Sequence, residues 1–278
     1  MIIMKRNILR GGLLFAMAAV VACNTGNKEE NNTVTSDSTA VEEQVEMTSS
    51  ISLTPVESPA FDDSMLEMLS PAENGENIPA GEVQFSYNVK NYDLASQTID
   101  ADIKNCANSA KGQHIHLILN NEPYSAYYGA EFSKNLEEGH YVALSFLSRS
   151  YHESVKSYGA YNIRQFTVGR AAGEDEVADL SASHMFYSRP KGTYVGDDAK
   201  KVLLDFFLLN NELAEEGNKV RATINGQEFM LDTWQPYFIE GQDMGEMTVK
   251  LELLDSEGNL VASPFNPVTR TVTLKESE

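Results

Sequence analysis

From Met65 onward the chain is a succession of short runs in which apolar side chains take every second position. Val83, Phe85, Tyr87 and Val89 alternate in this way, followed by Ile115, Leu117 and Leu119, by Val142, Leu144 and Phe146, and by Phe166 and Val168. Period two is the spacing of a strand with one buried face, and clusters of Gly, Asn, Pro and Asp separate the runs. A second set repeats the plan. Val202, Leu204, Phe206 and Leu208 predict one strand, and Val220, Ala222 and Ile224 lead into Asn225-Gly226, after which Phe229 and Leu231 return. Asn-Gly between alternating runs predicts a two-residue hairpin, because both central residues of that turn accept positive φ. Met247, Val249, Leu251 and Leu253 predict a further strand, residues 255–259 a turn, and Val272 and Leu274 the last strand.

The two sets match in order. MLSPAENG (68–75) corresponds to FYSRPKG (186–192), HIHLILNN (114–121) to KVRATING (219–226), LEEGHYVALSF (136–146) to DMGEMTVKLEL (243–253), and IRQFTV (163–168) to TRTVTL (269–274). Four matches in one order predict a duplicated unit. The expected fold is all-β: two tandem immunoglobulin-like β-sandwich domains over residues 61–169 and 184–278, joined by an acidic linker over 170–183. The paired Cys-Trp-Cys of antibody domains is absent.

The N-terminus has a different texture. Lys5, Arg6 and Arg10 precede an apolar run from Leu13 to Ala22 that is too short to span a bilayer, the order of a secretory signal over residues 1–22. Val20-Val21-Ala22-Cys23 resembles the lipobox of bacterial lipoproteins, which implies that Cys23 is acylated and becomes the mature N-terminus; the alternative is a plain signal peptide. Asn24, and the run Lys28-Glu29-Glu30, resemble signals for the outer membrane and for display at the cell surface. The expected location is therefore the outer membrane, lipid-anchored, with the body facing the periplasm or the cell surface. Residues 23–60 are rich in Asn, Thr, Ser and Glu and read as a flexible polar tether.

Charge narrows the partners. The formal net charge is −20, and loss of Lys5, Arg6 and Arg10 with the signal makes it more negative still. Nucleic acid and anionic lipid surfaces repel such a body. With Cys23 lipidated, Cys106 stands alone, so no intrachain disulfide forms and burial must hold the fold.

Four of five histidines fall in the first repeat: His114, His116, His140 and His152. His114 and His116 are two apart on a strand, so their rings share a face. Their counterparts Lys219 and Arg221 mark that face as outward. Imidazoles gathered on one surface suit zinc or copper, provided three or four converge; the plainer reading is surface histidines that order loops, with no cofactor. Aromatics follow the hairpin position in both repeats, and Tyr124, Tyr127, Trp234 and Tyr237 suggest a recognition surface for sugars or peptides, or else edge packing. No nucleophile elbow, zinc-protease helix or phosphate loop is present, and Ser154 beside His152 is a single Ser-His neighbourhood. No enzyme is expected.

As a whole the chain resembles a group of Bacteroidota-type lipoproteins with lipobox, polar tether and two sandwich repeats, some of which carry the name phosphopeptide-binding protein. Gly169-Arg170 and the Ser181-x-x-His184 step are similar to part of a forkhead-associated domain. That resemblance implies Arg170 pairing with a phosphate, Ser181 donating to it and His184 bracing the loop. The Asn-Gly element of that family is missing, since Lys191-Gly192-Thr193 stands in its place. The expectation is thus a lipid-anchored, non-catalytic envelope binding protein with a protein, peptide or glycan partner. Phosphopeptide binding and zinc or copper binding are the alternatives.

Overall fold

The computed structural model describes residues 50–72, 78–173 and 176–277, so the signal, Cys23 and most of the expected tether lie outside the described residues. Ser52–Pro55 forms β1, and the first repeat follows with β2 (Met65–Ser70), β3 (Gly81–Lys90), β4 (His114–Leu119), β5 (Ser125–Tyr127), β6 (Glu131–Leu136), β7 (Gly139–Ser148) and β8 (Tyr161–Val168). The second repeat has β9 (His184–Arg189), β10 (Thr193–Val195), the short helix α1 (Asp197–Lys200), β11 (Lys201–Leu209) and β12 (Lys219–Ile224). It ends with β13 (Gln227–Leu231), β14 (Tyr237–Glu240), β15 (Gly245–Leu254) and β16 (Val268–Lys275). The predicted hairpin is present: Ile224 pairs with Gln227, and Asn225 and Gly226 take φ of 47° and 88°.

The sheets β2-β3-β6 and β5-β4-β7-β8 enclose one core that contains Phe85, Leu117 and Phe166; β1-β14-β11-β9 and β10-β16-β15-β12-β13 enclose a second with Tyr187, Phe206 and Leu251. The order β2-β3-β6 recurs as β9-β11-β14, and β5-β4-β7-β8 recurs as β13-β12-β15-β16. Ile78 makes a parallel bridge to Val168 where, in the second repeat, β10 runs parallel to β16. The X-Pro bonds after β2 and β9 are both cis. The duplication seen in sequence is thus a duplication of topology, two tandem immunoglobulin-like sandwiches.

One stretch departs from expectation. Residues 52–55 fall within the expected tether, yet β1 pairs antiparallel with β14, Leu53 opposite Ile239, and Ile51 is buried in the second core. The alternation Ile51-x-Leu53 supplies enough apolar surface to add an edge strand, which a polar average over the whole tether hides. In the described part of residues 170–183 there is no strand, and Ala178 and Leu180 pack against apolar side chains of both repeats.

The two sandwiches are joined by packing as well as by chain. The outer face of β4 and β7 lies against that of β9 and β11, where Ile118, Leu144 and Phe146 meet Phe186, Phe207 and Phe265 in a third core. The Phe146 and Phe207 rings stack with centroids 5.4 Å apart. Asp205, fully buried on β11, accepts from Ser154 N at 3.1 Å and Ser154 Oγ at 3.0 Å, and pairs with Lys156 Nζ at 2.6 Å. An unpaired carboxylate there would be strongly disfavoured, so these partners from the first repeat pin the second. Asn121 adds two bonds across the same junction, donating to Phe265 O at 3.0 Å and accepting from Tyr187 N at 2.8 Å. The described residues accordingly belong to one compact unit.

Candidate metal centre

His114 and His116 project from the same face of β4, as their spacing requires, but that face is not outward: both side chains have 0% exposure. The correction follows from the stacking of the two sandwiches. The equivalent face of β12 is uncovered and leaves Lys219 and Arg221 half-buried, whereas on β4 the sheet containing β9 and β11 covers it.

His152 reaches the same point from the turn after β7. Its φ is +71°, a region that L residues rarely adopt. The turn is held by His152 N donating to Arg149 O at 2.9 Å and by the buried Arg149–Glu153 pair at 2.9 Å, and Ser58 donates to Glu153 as well. Together these contacts fix a conformation that carries an intrinsic penalty.

The three imidazoles converge. His114 Nε2 is 2.8 Å from His116 Nε2 and 3.1 Å from His152 Nδ1, and one nitrogen of each ring lies within 4.8 Å of the others. His114 Nδ1 donates to Gly112 O at 2.8 Å, so in the neutral ring Nε2 presents its lone pair. Gly112 makes that carbonyl available: its φ is +85°, and a Cβ there would stand 2.5 Å from Ser96 O. Tyr124 stacks on His116 with centroids 3.6 Å apart, Phe146 meets it edge-on at 5.2 Å, and the Tyr124 hydroxyl is 3.5 Å from His152 Nδ1.

Burial holds His114 down to about 4, with Arg189 pushing the same way against the bond to Gly112. Burial likewise holds His116 and His152 well below the usual imidazole range, assisted by the other imidazoles, Arg189 and Lys191. The cluster is therefore a set of neutral rings, one nitrogen of each converging on the same point. Hydrogen bonding leaves a remainder: His114 Nε2 can accept from only one of the two ring nitrogens that face it, and His116 Nδ1 is buried without a partner among the described residues.

His140 is not part of this group. Its Nε2 bonds Gln165 Oε1 at 3.1 Å near the opposite end of β7, so three of the four candidate histidines come together. The candidate phosphate residues have other partners: Arg170 is held by Glu176 at 2.5 and 2.7 Å, and Ser181 Oγ donates to Asp179 Oδ1 at 2.6 Å. His184 is buried, with Nδ1 on Ser263 Oγ at 2.7 Å and Nε2 on Asp179 O at 2.8 Å. A phosphate dianion approaching Arg170 or Ser181 meets a carboxylate already bound to it.

The aromatic surface is also corrected. Tyr124 is buried against His116, and Tyr237 is buried with its hydroxyl donating to Thr233 O at 2.9 Å. Tyr127 is half-buried and stacks on Phe132 at 3.4 Å. Trp234 borders a cleft, beside Tyr158 and Tyr161, while its Nε1 donates to Phe206 O at 2.9 Å. Ser154 is fully buried and bound to Asp205 and Lys156, which removes it as a nucleophile. Burial pushes the Cys106 thiol up to about 11.

Arg189 and Lys191 are neighbours that the sequence did not signal. A bulge between Asp205 and Phe206 shifts the β11–β9 register and sets Arg189 opposite Asp205, at the junction of the sandwiches. Its guanidinium lies 5.5 Å from the Tyr124 ring centroid, and Lys191 Nζ lies 4.3 Å from the same centroid.

No family model matches the chain, and no curated protein sequence does either. Among solved structures it is similar to the fibronectin(III)-like modules of Clostridium thermocellum CbhA, at 10% identity over 76% of this chain and 95% of that one, with a TM-score of 0.27. The central fibronectin-III array of RIM-binding protein gives 8% identity over 80% and 71%, with a TM-score of 0.25. The Bacteroides ovatus mixed-linkage glucan utilization locus SGBP-B, solved with a mixed-linkage heptasaccharide, gives 13% identity over 75% of this chain and a TM-score of 0.22; the chain spans 47% of its length. At these TM-scores the fold assignment rests on the chain's own strand order.

Proposed function

We propose that this chain is a non-catalytic binding module that holds a transition-metal ion, zinc or copper, through His114 Nε2, His116 Nε2 and His152 Nδ1. The convergence of three neutral imidazoles, two buried and the third half-buried, carries the reading. An ion about 2.0–2.1 Å from each nitrogen would bind all three lone pairs, the protons shared between the rings moving to the far nitrogens. The His114 Nδ1–H···O=C bond to Gly112 is the kind of support that orients a ligating ring. The lipobox-like Cys23 supports an envelope location, with the module tethered to the outer membrane.

The test is thermal unfolding of the full chain with one equivalent of Zn(II) or copper. A rise in Tm for the parent chain, and its loss in His116→Phe, supports the reading; an unmoved Tm with both metals overturns it. His116→Phe keeps a flat ring against Tyr124, so the comparison isolates the ligand nitrogen.

A protein, peptide or glycan partner has one observation in its favour. A cleft of about 500 Å³ is lined by Trp234, Tyr158, Tyr161, Asn211, Glu212 and Lys156, a mixture of flat and hydrogen-bonding groups. Trp234→Ala that abolishes capture of a glycan or peptide would support that reading, and full retention would remove it.

A further inference from the structure

We propose that the three-histidine centre selects a monovalent ion, Cu(I), over a divalent one; the inference rests on the metal-binding reading above. The argument begins with charge. The converging group is made of histidine alone, with no carboxylate or thiolate among the described residues, so nothing in it offsets an ion's charge.

The next layer is cationic. Arg189 is 6% exposed, bonds Tyr194 Oη at 2.6 Å and lies over the Tyr124 ring, whose own plane stacks on His116. Lys191 Nζ sits over the same ring. The buried carboxylate of the junction, Asp205, is already paired with Lys156 and Ser154.

The cost of transferring an ion from water into such surroundings grows as the square of its charge, so a dication is disfavoured about four times as strongly as a monocation of the same size. Repulsion from Arg189 and Lys191 doubles in the same comparison. Coordination number points the same way. Zn(II) takes four ligands, commonly three from protein and one water. Here the rings of Tyr124, Phe146 and Tyr128 stand around His116 and His114, at 3.6, 5.2 and 5.0 Å between centroids, and the cluster supplies three nitrogens. Copper accepts imidazole ligands, and Cu(I), a d¹⁰ monocation, can be held by three nitrogens with no fourth ligand.

The experiment uses the full chain without oxygen and two competitions, one against a chromophoric Cu(I) chelator and one against a Zn(II) chelator. The expected result is one Cu(I) per chain, bound at least about 100-fold more tightly than Zn(II). His152→Asn, chosen because Asn tolerates the left-handed backbone, should lose Cu(I) while keeping the parent's unfolding cooperativity. Lys191→Glu should narrow the Cu(I) to Zn(II) ratio by about tenfold. Zn(II) bound as tightly as Cu(I), or a ratio that Lys191→Glu leaves unmoved, overturns the selectivity and leaves metal binding standing. Retention of neither ion overturns both.

Discussion

His152 Nδ1 lies 3.1 Å from His114 Nε2 across a sequence separation of 38 residues. The contact links a turn with a left-handed backbone to a strand whose outer face is sealed by the second sandwich. Neither half of the centre is local. The turn depends on the Arg149–Glu153 pair, and the seal depends on the packing of β9 and β11 against β4 and β7.

Gly112 should be intolerant of a side chain. Gly112→Ala places a methyl group 2.5 Å from the Ser96 carbonyl at a φ of +85°. A loss of about 2 kcal/mol is expected in urea unfolding, together with weaker metal retention as the His114 support shifts. A change below about 0.5 kcal/mol would mean that the backbone relaxes freely there.

Asp205 should be the most costly polar position at the junction. Asp205→Ala leaves Lys156 without its buried partner, and a loss of about 3 kcal/mol is expected. Adding Lys156→Met should recover part of that loss, and the double-mutant cycle reads the coupling directly. Strict additivity would show that the pair contributes nothing.

The shared core predicts one cooperative transition. Phe207 stacks on Phe146 and meets Trp234 edge-on at 5.1 Å, so Phe207→Ala should cost about 3–4 kcal/mol and lower the midpoint seen by probes in both repeats. Two resolved transitions in the parent chain would show that the sandwiches fold independently.

Acid should weaken the metal-free fold. In the unfolded chain an imidazole titrates near pH 6.5, while in the folded chain His114 is held down to about 4 and His116 and His152 also lie below their usual range. Below about pH 6.5 the unfolded state therefore binds protons that the folded state refuses, and stability falls with pH through that window. Buried Glu153, raised by burial, works in the opposite sense as a single group. Denaturant midpoints should be lower at pH 5 than at pH 7.5, with a shallower slope in His116→Phe; equal midpoints would contradict a neutral cluster.

The strands, the Asn225-Gly226 turn and the duplication were legible because they are written in local periodicity. Burial of the β4 face was not, because it depends on a layer contributed about 70 residues later. The equivalence of His114 and His116 with Lys219 and Arg221 is sound as topology and misleads about environment, since only the first repeat is covered. One signal was present. VALSFL in β7, HMFY in β9 and VLLDFFLL in β11 carry bulky apolar residues on both faces, the pattern of strands buried on two sides, whereas KVRATI in β12 alternates cleanly. The same reasoning explains Tyr124, whose place after the hairpin suggested exposure and whose ring instead closes over His116.

The most direct test of the account is anomalous diffraction from crystals of the metal-loaded chain, recorded at the copper and zinc edges. The account predicts one strong peak about 2.0–2.1 Å from His114 Nε2, His116 Nε2 and His152 Nδ1. A peak at His140 or at surface carboxylates, with none among these three nitrogens, would contradict it.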